Sequence, residues 1–85
     1  MNPVIAQLVS AARKGDRESF SKLVSLHQNA AASISYGILG ETHLAADAVQ
    51  DAYLKSWQGL AKLREDERFS AWFMQIVRTS SLDLL

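Results

Sequence analysis

Asp47, Gln50, Asp51, Leu54 and Gln58 recur at intervals of three and four residues, so on a helix they share one face. The chemistry such a face offers is recognition. A solvated helix face would usually alternate Glu and Lys at i,i+4. This one carries two Asp, two Gln, one Leu and no base until Lys55 at its edge. It is a surface suited to a partner with positive charge and an apolar pocket. Ala45, Ala48, Val49, Ala52, Tyr53, Ser56 and Leu60 fall on the opposite side, at the period of a packed helix.

No constellation in the chain suggests catalysis. His27 lies on an apolar stripe and His43 near a helix start. They are far apart, with no cysteine and no i,i+4 histidine pair, so no metal site is expected. The glycines do not form a phosphate-binding loop. No Ser-His-Asp or paired-carboxylate arrangement can be argued, and no cofactor is implied. Phe20, Tyr53, Trp57, Phe69, Trp72 and Phe73 have faces on which unpaired bases can stack. All fall on or beside apolar stripes, and core packing is the better reading for each; Trp57 is at the stripe edge. The segment from Leu60 to Phe69 mixes Lys62, Arg64 and Arg68 with three acids. By itself it reads as a solvated connection whose charges neutralise each other.

Four blocks together resemble a known family. The run Asp47-Ala-Val-Gln-Asp-Ala-Tyr-Leu-Lys-Ser-Trp57 is similar to the core-polymerase-binding helix of bacterial sigma factors. Phe69-Ser-Ala-Trp-Phe-Met-Gln-Ile-Val-Arg-Thr-Ser-Ser-Leu-Asp83 looks like the promoter-reading helix that follows it. Gly15-Asp16 before the apolar helix Phe20 to Val24, and Gly40-Glu41 before the partner helix, match the family's opening pattern. The resemblance is to region 2 of the extracytoplasmic-function (ECF) branch of the sigma-70 family and covers about residues 11–83.

That resemblance implies a transcription initiation module, not an enzyme, acting in the bacterial cytoplasm. Asp47, Gln50, Asp51, Leu54 and Gln58 would meet a coiled coil on the β′ subunit of the RNA polymerase core. Lys62, Arg64, Arg68 and Arg78 would neutralise phosphates of the melted minus-ten promoter strand, giving affinity without reading sequence. Base identity on the single non-template strand would be read by loop backbone, Gln75 and Thr79. An anti-sigma factor is a further expected partner. The alternative is a sigma-like decoy that binds an anti-sigma factor and reads no DNA. The chain departs from the family in having Thr79 after Arg78, where many members have Asn. It stops at Leu84-Leu85, where a basic run usually follows. The expectation is either a stand-alone domain or a piece of a longer sigma factor, the apolar end favouring a truncated helix.

These residues must be positioned by helices. Nothing alternates at period 2 for long enough to make a strand. Asn2 and Pro3 suit the start of a first helix to about Lys14. Gly15 suits its left-handed terminus, and Asp16 caps a second helix. Phe20, Leu23, Val24, His27, Ala31, Ile34 and Ile38 stripe that helix, and Ala30-Ala31-Ala32 allows close helix approach. Thr42 is the expected N-cap of a third helix to about Leu60. A loop over about 61–68 leads to a fourth helix from Phe69 to the end. On it Phe69, Trp72, Phe73, Ile76, Val77 and Ser80 face one way, and Ala71, Met74, Gln75 and Arg78 the other. The expected fold is an all-α bundle of about four helices, one domain over 1–85. The polymerase-binding helix would span about 42–60, and the promoter-reading loop and helix about 61–85.

Composition agrees. A chain of 85 residues, 48% of them apolar, has room for one compact core, burying roughly 60–65% of its unfolded surface. The absence of cysteine fits a reducing compartment. No apolar run is long enough to span a membrane, and the start lacks the form of a signal peptide. Net charge is zero, which counts against strong non-specific nucleic-acid binding. The charge is unevenly placed: residues 41–54 hold three acids and no base, and this acidic zone coincides with the candidate partner face.

Overall fold

Two left-handed glycines divide the first half of the chain. Gly15 (φ +100°) separates α1 (Pro3–Arg13) from α2 (Arg17–Leu39), and Gly40 (φ +67°) separates α2 from α3 (Thr42–Gly59). Both conformations are open to glycine at little cost and strained for other residues. Two 3₁₀ turns, Leu60–Lys62 and Asp66–Arg68, then lead into α4 (Phe69–Asp83). The computed structural model describes residues 3–85, and among them all regular structure is helical. The expected cap Asn2 lies outside the described residues.

Side chains close the helix starts. Asp16 Oδ1 accepts from the backbone N–H of Glu18 at 3.1 Å and of Ser19 at 3.4 Å, and its Oδ2 accepts from Ser19 Oγ at 2.9 Å. The expectation of Thr42 as the cap of α3 is corrected: the cap is Glu41. After Gly40 the chain is extended at Glu41 (φ −142°, ψ 133°), so helical backbone begins one residue sooner. Glu41 reaches back with both oxygens, accepting from His43 N–H at 3.0 Å and Leu44 N–H at 2.7 Å. A carboxylate here also meets the positive end of the helix dipole.

The core is built from one stripe of each helix: Val9 and Ala12, Leu23 and Ala31, Val49 and Ala52, and Phe69, Phe73 and Val77, joined by Leu60 and Leu63 of the connection. The stripe read for α2 is narrower than expected. Leu23, His27 and Ala31 are buried, whereas Val24, Ile34 and Ile38 are only partly covered, and Ala30 and Ala32 are exposed. On α4 the buried arc is wider than expected. Met74, assigned to the outer face, packs against the core, because α4 is contacted by both α2 and α3.

Small residues let the helices approach closely. Ser35 Oγ donates to the carbonyl of Ala45 at 3.1 Å, and Ser81 Oγ lies 2.9 Å from Ser35 Oγ and 2.7 Å from the Val77 carbonyl. These buried hydroxyls tie α2, α3 and α4 together at one end of the bundle. At the other end, Arg13 Nη1 meets Asp66 Oδ1 at 2.8 Å, fastening the connection to α1.

Candidate functional site

The residues that α3 buries are nearly all small: Ala45, Ala48, Val49, Ala52 and Ser56. That lets α3 nest against α2 and α4 and leaves its outer face unobstructed. Asp47, Gln50, Asp51, Leu54 and Gln58 are all exposed on it, and Leu54 keeps 56% of its surface in solvent. The structure thus brings together the five residues selected from the sequence. It adds Leu44, also exposed, three residues before Asp47. Positions 44, 47, 51 and 54 repeat the same spacing, so the signal for Leu44 was present in the sequence. The Asp pair is flanked by an apolar residue on each side.

The two carboxylates differ. Asp47 has no ion pair among the described residues. Asp51 Oδ2 is 2.9 Å from Lys55 Nζ, which also lies 3.8 Å from Asp83 Oδ2 at the end of α4. The hydrogen bond that Lys55 donates to Asp51, aided by the charges of both acids, raises the Lys55 pKa above its ordinary value. Lys55 is therefore a cationic link between α3 and α4, and the acidic face is partly neutralised from within.

The connection is not a free loop. Leu60 and Leu63 are buried while Lys62 and Arg64 are exposed, so apolar anchors turn the bases outward. Neither base has an ion pair among the described residues. Arg68 is held loosely, its Nε 3.7 Å from Glu65 Oε1. Asp66 is engaged by Arg13, a charge from another helix, which takes one acid out of the local balance.

Gln75 and Thr79 lie further along α4. They line an open groove between α3 and α4 with Lys55, Trp72, Ile76 and Ser80. Thr79 Oγ1 donates to the Gln75 carbonyl at 3.0 Å and keeps its acceptor lone pairs. Thr79 is ten residues beyond the start of α4, about 15 Å along the axis. The bases lie on the connection and the groove between α3 and α4, so they form two separate patches. Arg78 is exposed but is not among the groove's lining residues.

Beneath these patches α4 is locked by rings. Phe69 and Phe73 are fully buried and stack at 5.8 Å with planes 5° apart; Tyr53 stacks on Phe73 at 5.5 Å. His27 packs edge-on to both Phe rings. Its Nδ1 must donate to the Leu23 carbonyl at 2.7 Å, since a carbonyl only accepts, and its Nε2 is 2.7 Å from Ser70 Oγ. Trp72 packs against the core as expected, tilted on Phe69 at 6.0 Å, while part of its ring, over Gly59, borders the groove. Phe20 and Trp57 cover each other at 5.0 Å, both partly exposed.

Among the described residues no three His, Asp or Glu side chains gather closely enough to hold a metal ion. No helix among them is long and apolar enough to cross a membrane. What the arrangement offers is an exposed acidic-apolar face on α3, a weakly basic ledge on the connection, and a groove between α3 and α4.

Comparison with known proteins matches the family described as Sigma-70 region 2 over residues 23–85. The ECF RNA polymerase sigma factor SigW of Bacillus subtilis (strain 168) is 24% identical over 83 residues, covering 98% of this chain and 44% of that protein. The ECF RNA polymerase sigma factor SigM of Mycobacterium tuberculosis is 32% identical over 80 residues, covering 94% and 41%. The ECF RNA polymerase sigma-E factor of Escherichia coli (strain K12) is 31% identical over 80 residues, covering 92% and 40%. The chain thus spans less than half the length of these relatives.

Proposed function

The chain belongs to the sigma-70 region 2 family, in its ECF branch, and from that premise we propose that it is a transcription initiation module. Residues 1–85 act as one unit. α3 binds the RNA polymerase core, and the 60–68 connection with α4 holds the minus-ten element as a single non-template strand. The catalytic step of transcription stays with the polymerase, and the site of action is the bacterial cytoplasm.

The observation that carries this reading is the outer face of α3. A helix with no need for a partner would not leave Leu54 exposed between Asp51 and Gln58 while burying alanines on its other side. A basic helix pair such as the β′ coiled coil supplies what the face lacks. Its cations can take Asp47 directly and compete with Lys55 for Asp51. Exposed ion pairs are weak, so the exchange has a low cost, and Leu54 gains burial.

On the DNA side the argument is one of charge. Lys62, Arg64, Arg68 and Arg78 can neutralise about two to four phosphates. For single strands the dependence of log K on log salt falls by about 0.7 per phosphate, so the expected slope is roughly −1.5 to −3. Such a module holds a strand already opened by the polymerase better than it holds duplex. An anti-sigma factor is a further proposed partner.

Equilibrium binding of the chain to purified core polymerase tests the first half. The parent chain should bind, and the double variant Asp47→Arg/Asp51→Arg should lose about 2 kcal/mol or more of affinity with its helical content unchanged. Equal affinity of parent and double variant would refute the assignment. Zero net charge favours a second reading, a decoy that binds an anti-sigma factor and no DNA. Core binding without any strand binding would select it.

A further inference from the structure

Between the buried Leu63 and the buried Phe69 the connection runs over open surface. Arg64, Glu65, Glu67 and Arg68 are exposed there, and Asp66 alone is partly covered. No side-chain hydrogen bond caps the second 3₁₀ turn, and none caps α4 at Arg68. The backbone is extended at Leu63 (φ −69°, ψ 123°) and again at Glu65 (φ −128°, ψ 126°) before that turn. A segment with so few buried contacts opens locally at low cost unless something outside it holds it.

Arg13 is placed to hold it. The preceding residue, Ala12, is buried in the core with Val9. The backbone N–H groups of Lys14, Gly15 and Asp16 close the end of α1 onto the carbonyls of Ala11 and Ala12. A cation in this last turn also suits the negative end of the helix dipole. From that fixed backbone Arg13 Nη1 reaches Asp66 Oδ1 at 2.8 Å, joining residues 53 apart in the chain. With side chains 29% and 32% exposed it is the most covered ion pair among the described residues, and so the least screened by salt.

We propose that Arg13 is a positioning residue: through Asp66 it holds the 64–68 segment in the arrangement that presents Arg64 and Arg68 beside Lys62, and α1 is the strut of that ledge. The proposal rests on the strand-holding role proposed above and adds what sets its geometry. Its consequence is opposite in sign to that of simple charge. An acid beside phosphate-binding bases repels a DNA strand, so removing one ordinarily tightens binding. Removing Asp66 also frees the ledge from α1, and the strand must then order it at a cost in affinity. An Arg13 that took a phosphate itself would have Asp66 as its competitor, and loss of Asp66 would tighten binding instead.

The test titrates the 85-residue chain and its variants with fluorescein-labelled oligo(dT) at low salt and follows anisotropy, with circular dichroism checking that helical content is equal. Asp66→Asn should weaken binding about threefold, the scale of a partly exposed ion pair. Glu67→Gln, the same charge change on an exposed neighbour, should tighten it. Arg13→Gln should weaken binding about threefold more than Lys14→Gln does, and the exchanged pair Arg13→Asp/Asp66→Arg should recover most of the loss. Hydrogen exchange gives a readout without DNA. The amides of Arg68 and Phe69, which donate to the carbonyls of Glu65 and Asp66, should exchange faster in Arg13→Gln, while that of the buried Val77 keeps its rate. If the parent binds but Asp66→Asn tightens binding as Glu67→Gln does, or if exchange at Arg68 and Phe69 is unchanged, the positioning role is refuted and strand capture stands. If the parent binds no oligonucleotide, strand capture by this chain fails, and the inference fails with it whatever the exchange shows.

Discussion

Leu54→Ala isolates the apolar part of the recognition face proposed for α3. Full burial of a leucine side chain stabilises by about 1.5–3 kcal/mol. Leu54 still has 56% of its surface in solvent, so roughly half of that, about 1–1.5 kcal/mol, remains to be gained on docking. Truncation to alanine should therefore weaken binding to core polymerase by about tenfold. The isolated fold should not suffer. The side chain fills no cavity, and alanine is the better helix former by a few tenths of a kcal/mol. Anisotropy of labelled chain titrated with core polymerase reads the first quantity, and thermal unfolding by circular dichroism the second. Core affinity unchanged within a factor of two would show that Leu54 does not enter the interface. A fall in both affinity and melting temperature would show that its role in the fold has been misjudged.

Other consequences follow from burial and from the caps. Phe73→Ala should cost about 3–5 kcal/mol, enough to unfold much of so small a domain. Trp72→Ala, which removes a ring packed on Phe69 and against the core, should also destabilise, by somewhat less than Phe73→Ala because Trp72 is not fully buried; chemical denaturation of the two variants gives the order. Tyr53→Phe removes a hydroxyl that is buried without a partner, so its unfolding midpoint should be unchanged or raised. Acid should loosen the starts of α2 and α3. The Asp16 carboxyl is held below its ordinary value, chiefly by the Ser19 hydroxyl and then the Ser19 and Glu18 backbone N–H groups, and Glu41 by the N–H groups of His43 and Leu44. For a depressed carboxyl the stabilisation is full above the unfolded pKa, about 4, and is lost as pH falls through the lower folded value. Melting temperature should therefore drop on acidification below about pH 4, and less so in Asp16→Asn and Glu41→Gln.

The helices and the α3 face were legible in the sequence because both depend on periodicity. Asp47 to Gln58 keeps one spacing from end to end, and the opposite stripe is made of residues with little other use. Gly15 and Asp16 marked a boundary by local chemistry alone. The Glu41 cap was missed because Thr42 is the commoner cap type; only the backbone, extended at Glu41 after left-handed Gly40, decides between them. The limits of the buried arcs were not legible. Whether Met74 or Trp72 is covered depends on how many neighbours α4 has, a property of the assembled bundle. Long-range pairs were invisible for the same reason. Arg13 with Asp66, and Lys55 with Asp83, join residues far apart in the chain. The i,i+4 pairing of Asp51 with Lys55, by contrast, could have been read from spacing, and it was passed over because Lys55 sits at the edge of the face.

On the polymerase core, this chain is proposed to hold an opened promoter strand by a few phosphates and a small number of bases. The most direct measurement is selection from a randomised single-stranded DNA pool by the complex of the chain with core polymerase, against core alone, followed by the salt dependence of binding to the enriched sequence. Enrichment is expected at a few neighbouring positions and only when the chain is present, with a log–log salt slope of roughly −1.5 to −3 and much weaker binding of the same sequence as duplex. No enrichment over core alone, or tight duplex binding with a steep slope, would contradict the proposal.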